Sequence, residues 1–291
     1  MSEEAPKVTI RPPKNGEKTA AYGVYETGFP DFEMSFEGFS RSWDRCKISG
    51  DLEKLWKVAI VDEEVVGVAI NLMLRNLGWG TIWEIAVDPK MRNQGIGTQI
   101  VEESEKTFLE LNPAITHFAI APKTHRTKAI SFVEGLGYGI QSLILQLQGP
   151  ADTTAAEFNL DVGIARLEHI PLFTYLEPDT YWGYRDRMTW EYTIRGGECY
   201  ALSEPESNMV VGFMQMIPNQ STKGTTTVSF SYKEGYGRDV IKGAMCEVQT
   251  EQVVFWIQDI HQEILDYLYA EGFERKDSEF LAKKRVMHDT G

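Results

Sequence analysis

Residues Glu84–Glu103 read EIAVDPKMRNQGIGTQIVEE. An apolar, strand-like run stops at Pro89. Arg92 follows, then Gly95 and Gly97 spaced G-x-G, then an amphipathic helix. A helix start leaves four backbone N–H groups without intrahelical acceptors, and the helix dipole adds to their pull on an anion. Glycines at that turn let a bulky phosphate approach the backbone, and Arg92 supplies a fixed positive charge beside it. The stretch therefore has the parts of a diphosphate cradle. Taken alone, G-x-G fits equally a glycine-rich turn that holds nothing. A dinucleotide-binding loop wants a third glycine, where position 100 is Ile, and a Walker loop wants a lysine that GIGTQ lacks.

Working outward, strands and helices alternate. VTIRPP opens as a short strand, GEKTAAYGVYETGF reads as a helix, and FEMSFEGFSRSW as a second helix or a loop. Two β-branched runs around Asp62, Glu63 and Glu64 predict a hairpin. Ile96, Ile100, Val101, Ser104, Phe108 and Leu111 recur at helical spacing after the glycines. The same order returns in the second half. Val210-Val211-Gly212 answers Val65-Val66-Gly67, Gly235 and Gly237 answer Gly95 and Gly97, and the run ending at Phe273 answers that ending at Tyr138. With VVFWIQ answering HFAIAP between the last two, four landmarks in one order predict a tandem duplication. The linker-like LQGPADTTAAEFNL sets the boundary, giving domains 1–150 and 151–291. Charge divides there too: 16 basic and 20 acidic side chains before it (−4), 13 and 23 after it (−10). The expected fold is α+β, a mostly antiparallel sheet flanked by helices in each domain.

R-x-x-G-x-G after a V-D-P strand end closely resembles motif A of the GCN5-related N-acetyltransferase (GNAT) superfamily, over roughly residues 8–148. The resemblance implies two tandem acyl-CoA N-acyltransferase-like domains, with acetyl-CoA as acyl donor in the first. It implies that backbone amides of Gln94, Gly95, Ile96, Gly97 and Thr98, with Arg92, hold the diphosphate. Ile85 and Val87 would present strand backbone to the pantetheine arm. RTKAISFVEGLGY fits the family's second block at Ala129 and Phe132, with Arg126 replacing an Asn and Val133 replacing a Tyr that serves many members as general acid. Glu84, three residues before Val87, is the candidate general base. Glu26, Asp31 and Glu33 lie where the family places its acceptor loops and would steer an amine. In the second half, Tyr232 stands where the 140-residue offset of the glycines places Arg92, so that half reads as a degenerate copy shaping the acceptor site.

The expected activity is direct acetyl transfer to a primary amine. The alternatives are a non-catalytic CoA-binding sensor or interaction protein, and an enzyme taking a longer acyl chain. The net charge of −14 argues against nucleic acid. The longest apolar run, Val65 to Leu74, is too short to span a bilayer. Three dispersed cysteines fit a reducing cytoplasm, and five scattered histidines offer no metal spacing. A homodimer is allowed. The aromatic segment Phe173 to Tyr192, interleaved with acidic residues, fits either a cation site or core.

Overall fold

The computed structural model describes residues 7–29, 34–74, 77–151, 159–175, 187–196, 199–219 and 224–288. The chain forms two compact units. The first comprises Met1–Ala121, Ser131–Gly139 and Ala282–Gly291, and the second Pro122–Ile130 and Ile140–Leu281.

In chain order the first half holds β1 (Thr9–Arg11), α1 (Lys18–Gly28), α2 (Phe36–Ser49), α3 (Asp51–Lys54), β2 (Lys57–Val61), β3 (Glu64–Leu74) and β4 (Trp79–Val87). Then come α4 (Ile96–Leu111), β5 (His117–Ile120), α5 (Thr127–Gly135) and β6 (Gly139–Pro150). The hairpin turn falls at Asp62 and Glu63, whose φ of 47° and 67° suit the two-residue turns that match strand twist. Strands β1 to β4 pair antiparallel with their neighbours, and β4 pairs β5 in parallel. The first core gathers Val24, Tyr25, Phe39, Trp43, Trp56, Ile82 and Phe108. Gly80 is bare there because a methyl group would fall 2.4 Å from the Phe108 ring. Of the predicted face of α4, Ile96, Ile100, Val101, Ser104 and Phe108 are buried, while Leu111 in the last turn is exposed.

The second half holds β7 (Asp161–Ile164), α6 (Arg187–Gly196), β8 (Cys199–Ser203), β9 (Val210–Pro218), β10 (Thr225–Tyr232), α7 (Gly237–Glu247), β11 (Gln252–Gln258), α8 (Gln262–Ala270) and β12 (Glu274–Arg285). Strands β7 to β10 pair antiparallel in turn, and β10 pairs β11 in parallel. The repeat is visible bond by bond. The first residues of β5 and β11, of α5 and α8, and of β6 and β12 are 117 and 252, 127 and 262, 139 and 274, each 135 apart. Asp88 N donates to Val66 O, and Lys233 N to Val211 O, both donor and acceptor shifted by 145. Gly67 lies against Ile100 and Gly212 against Val240, closing strand onto helix in the same way.

The closing strands are exchanged. Residues of β6 pair with β11, Gln252↔Pro150 through Gln258↔Ile144. The end of β12 pairs with β5, Ala282↔Ile120 through Arg285↔His117. A single cut at residue 150 therefore parts each closing strand from its own pairing partner. Lys284 fixes the crossover with an ion pair to Glu105 at 2.8 Å, and Glu105 also accepts from Tyr138 Oη at 2.8 Å. Among the described residues no helix is long and apolar enough to cross a membrane, and no group of three His, Cys, Asp or Glu could hold a metal ion.

Candidate active site

Strand β4 carries one residue too many for its neighbour. Ile70 faces Glu84 while Asn71 faces Ile82, so Trp83 is bulged out. Such bulges bend a strand and re-aim side chains. Asn71 underpins this point from a fully buried position: its Nδ2 donates to Leu55 O and to Ser104 Oγ, each at 2.8 Å. On the other edge, the parallel ladder with β5 ends at Ile82↔Ile120, while β4 runs on to Val87. The two strands thus part just where Ile85 and Val87 lie.

Beyond Val87, Asp88 Oδ1 accepts from Lys90 N at 2.8 Å and tightens the turn at Pro89–Met91. Asn93 and Gly95 both adopt left-handed backbone, φ 63° and 77°. Gly95 is the N-cap of α4, with no side chain accepting from the helix's first amides. The first intrahelical bond is Gln99 N to Gly95 O at 3.1 Å. The amides of Ile96, Gly97 and Thr98 therefore precede the helical ladder, and a methyl group on Gly95 would meet nothing within 4 Å. The residues fit a diphosphate: donors, dipole and open space coincide.

The two glycines do different jobs. Gly97 faces protein, its missing methyl leaving room for Phe132 Cζ at 3.3 Å and Val87 Cγ2 at 3.9 Å. Ile96 contributes backbone only, its side chain being buried in the core. Arg92 is turned back on the strand end. Its Nε donates to Val87 O at 3.1 Å and its Nη2 to Gly28 O at 3.5 Å, tying the loop to β4 and to the end of α1. Gln94 is exposed on the loop. Ala129 lies near the start of α5, in the segment grouped with the second unit. Val133 is buried in the first core.

Glu84 is partly buried, with Oε2 shielded from solvent. Side chains alternate along a strand, so Glu84 shares a face with Ala86, against which the end of α1 packs so closely that a methyl on Gly28 would fall 2.5 Å from Ala86 Cβ. Glu26 is exposed on α1 and accepts from Tyr22 Oη at 3.2 Å. Burial and then the Glu26 carboxylate push the Tyr22 phenol up from its ordinary pKa. Asp31 and Glu33 lie outside the described residues, as do Tyr181, Trp182 and Tyr184 of the second half. Trp190 is fully buried against Phe213, ring centroids 5.5 Å apart, and belongs to core.

The second unit revises one correspondence. The matched Asp88 and Lys233 are 145 apart but Gly95 and Gly235 only 140, so five residues are missing from the second loop. Tyr232 is therefore the counterpart of Val87, Arg92 has none, and Ser229 stands where Glu84 does. Strand β10 also lacks the bulge. Sequence reading missed the roles of Trp83, Asn71 and Gly28; only the glycine in a helical pattern carried a signal, of close backbone approach.

The model of the acetyltransferase (GNAT) family matches residues 21–138. Among curated proteins, none matches the chain in sequence. Solved structures resemble it along nearly its whole length. One is a GCN5-related N-acetyltransferase from Sphaerobacter thermophilus, 16% identical over 97% of this chain and 96% of that one, with a TM-score of 0.68. Another is a tandem GNAT protein from the clavulanic acid biosynthesis pathway, 12% identical over 97% and 100%, TM-score 0.65. A third is the glucosamine N-acetyltransferase region of a fungal multi-domain β-N-acetylglucosaminidase, 13% identical over 96% of this chain and 38% of that one, TM-score 0.73. At these identities the likeness establishes the fold, α+β with two tandem GNAT-type domains.

Proposed function

We propose, from the match of residues 21–138 to the acetyltransferase (GNAT) family model, that the first unit transfers an acetyl group from acetyl-CoA directly to a primary amine. One observation carries the reading: β4 parts from β5 after Ile82, and its free run ends at an uncapped helix start. Acetyl-CoA supplies the activated thioester. The amides of Gln94 to Thr98 grip its diphosphate, and the backbone of Ile85 and Val87 lines its pantetheine arm, with Phe132 packed on Gly97 beside it. Arg92 acts by holding the loop to Val87 and Gly28.

The acceptor amine approaches from the face that Glu84 shares with Ala86, past α1. Glu84 takes a proton from the amine, directly or through water, and the amine nitrogen attacks the carbonyl carbon. The C–S bond breaks as the C–N bond forms, and the thiolate collects a proton from solvent, since Val133 has none to give. Holding both reactants in one geometry supplies much of the acceleration. Glu26, exposed on α1, adds a negative charge on the acceptor side that favours a cation. Thiol release measured across a panel of amines tests the reading. Turnover with one class supports it. Tight CoA binding without thiol release for any amine refutes catalysis and leaves the CoA-binding sensor.

A further inference from the structure

The second unit repeats the layout of the first, including the parting of its parallel strands. The β10–β11 ladder ends at Val228↔Phe255, and β10 runs on to Tyr232. A left-handed glycine again precedes the helix, Gly235 at φ 87°. What differs is what lies in the gap. In the first unit the bare edge of Gly97 meets Phe132 and the short Val87, and Gly97 is half-buried. In the second, Gly237 is buried, with Ile264 Cδ1 at 2.8 Å and the Tyr232 ring at 2.9 Å from where a methyl would sit. Ile264 replaces Ala129 and Tyr232 replaces Val87, so both positions grew. Tyr232 Oη reaches 2.9 Å from Nδ1 of His261, the N-cap residue of α8, and so bars the opening from strand to helix. The loop that would wrap a diphosphate is five residues shorter. An anionic group of the chain itself, Glu204, accepts a hydrogen bond from Tyr236, the N-cap of α7.

We infer that the second unit keeps its cofactor slot shut with its own side chains, Tyr232 latched to His261 over Gly237, so that the chain binds one CoA and binds it in the first unit alone. Burial lowers the His261 pKa, keeping the ring neutral and able to accept from the phenol. The inference rests on the reading that the first unit's loop holds CoA, and the two fail differently.

Titration calorimetry of the full chain with CoA measures the stoichiometry. Wild type should bind one equivalent. Gly95→Asp should bind none, because Asp tolerates the left-handed backbone while its carboxylate repels the diphosphate. Two equivalents in wild type, or one surviving in G95D, overturns the shut slot. No binding by wild type overturns the reading of the first unit, and the one-site inference with it. Hydrogen exchange on the unaltered chain gives a second readout that folding of a variant does not disturb. Added CoA should slow exchange about tenfold or more at Gln94–Thr98, as expected for amides bonded to a charged acceptor, and leave residues 234–238 within about twofold. Comparable slowing at 234–238 refutes the proposal.

Discussion

Replacing Gly67 by Ala tests whether the spacing of strand and helix sets the diphosphate site. The new methyl would fall 2.7 Å from Ile100 Cδ1 and 3.0 Å from Ala59 Cβ, on the underside of α4. Contacts that short force the helix or the ring of neighbours to move, at a cost of about 1–3 kcal/mol. Ile100→Val alone removes the offending Cδ1 and costs about 0.5–1.5 kcal/mol as a core truncation. Combined, the two changes should cost less than their sum, because the valine removes the closer of the two clashes and leaves only Ala59 Cβ at 3.0 Å. The expected coupling is about 1 kcal/mol or more. Urea denaturation of the four proteins measures it. Because Gly95 caps the displaced helix and Ile96 to Thr98 open it, Gly67→Ala should also weaken CoA binding, and Ile100→Val should restore part of it. Gly212→Ala and Val240→Ala repeat the geometry in the second unit, where the gap is 2.4 Å. They should show the same energetic coupling and no change in CoA affinity. Additive effects within about 0.3 kcal/mol at Gly67 and Ile100 would refute the argument, as would unchanged CoA binding in a measurably destabilised Gly67→Ala.

Glu84→Gln should lower kcat by about 10²–10⁴-fold with little change in CoA affinity, read by thiol release at saturating amine. Gly95→Ala should destabilise by about 1–2 kcal/mol through its left-handed backbone alone, and Gly95→Asn by less, in thermal melts. Removing residues 282–291 strips the β5 pairing, the buried Ala282 and Val286, and the Lys284–Glu105 bridge. That loss is about 5 kcal/mol or more, of the order of a domain's whole stability, so emission from buried Trp43 and Trp56 should shift to that of solvated tryptophan. Acidification should destabilise the second unit through His261. The unfolded ring takes up a proton near its ordinary value of 6.5 and the folded ring only at lower pH. Between the two the unfolded state holds more protons, so stability falls as pH drops through and below 6.5. His261→Gln should flatten that slope relative to wild type, and an unchanged slope would count against the burial of this ring.

The turn at Asp62-Glu63, the buried face of α4 and the loop around Gly95 were all legible in the sequence, since each rests on a local rule of side-chain spacing or backbone freedom. The duplication was legible because glycines that admit Ile100 and Val240 recur at nearly constant offset. The bulge was not, because Trp83 reads as one more aromatic strand residue and only the pairing partner reveals the extra one. Tyr232 was matched to Arg92 because the glycines are the loudest landmark and the five missing residues lie just before them. The work of Gly97 was half legible: its lack of a side chain matters, but to Phe132. Nothing in SLILQLQ or SEFLAKKRV says which of two similar sheet edges each strand joins, and that choice depends on contacts more than a hundred residues apart.

The exchanged closing strands have a consequence for how the chain is made. His117 to Ile120 leave the ribosome with their edge uncovered, and the strand that covers it begins pairing at Ala282, 162 residues after Ile120. At about 5–20 residues per second that interval lasts about 8–30 s. Through it the nascent first half exposes an edge able to recruit any other strand, including that of a neighbouring nascent chain. Completion of the first unit's sheet is thereby delayed until the second half of the chain has been made, although its loop and helix precede that half.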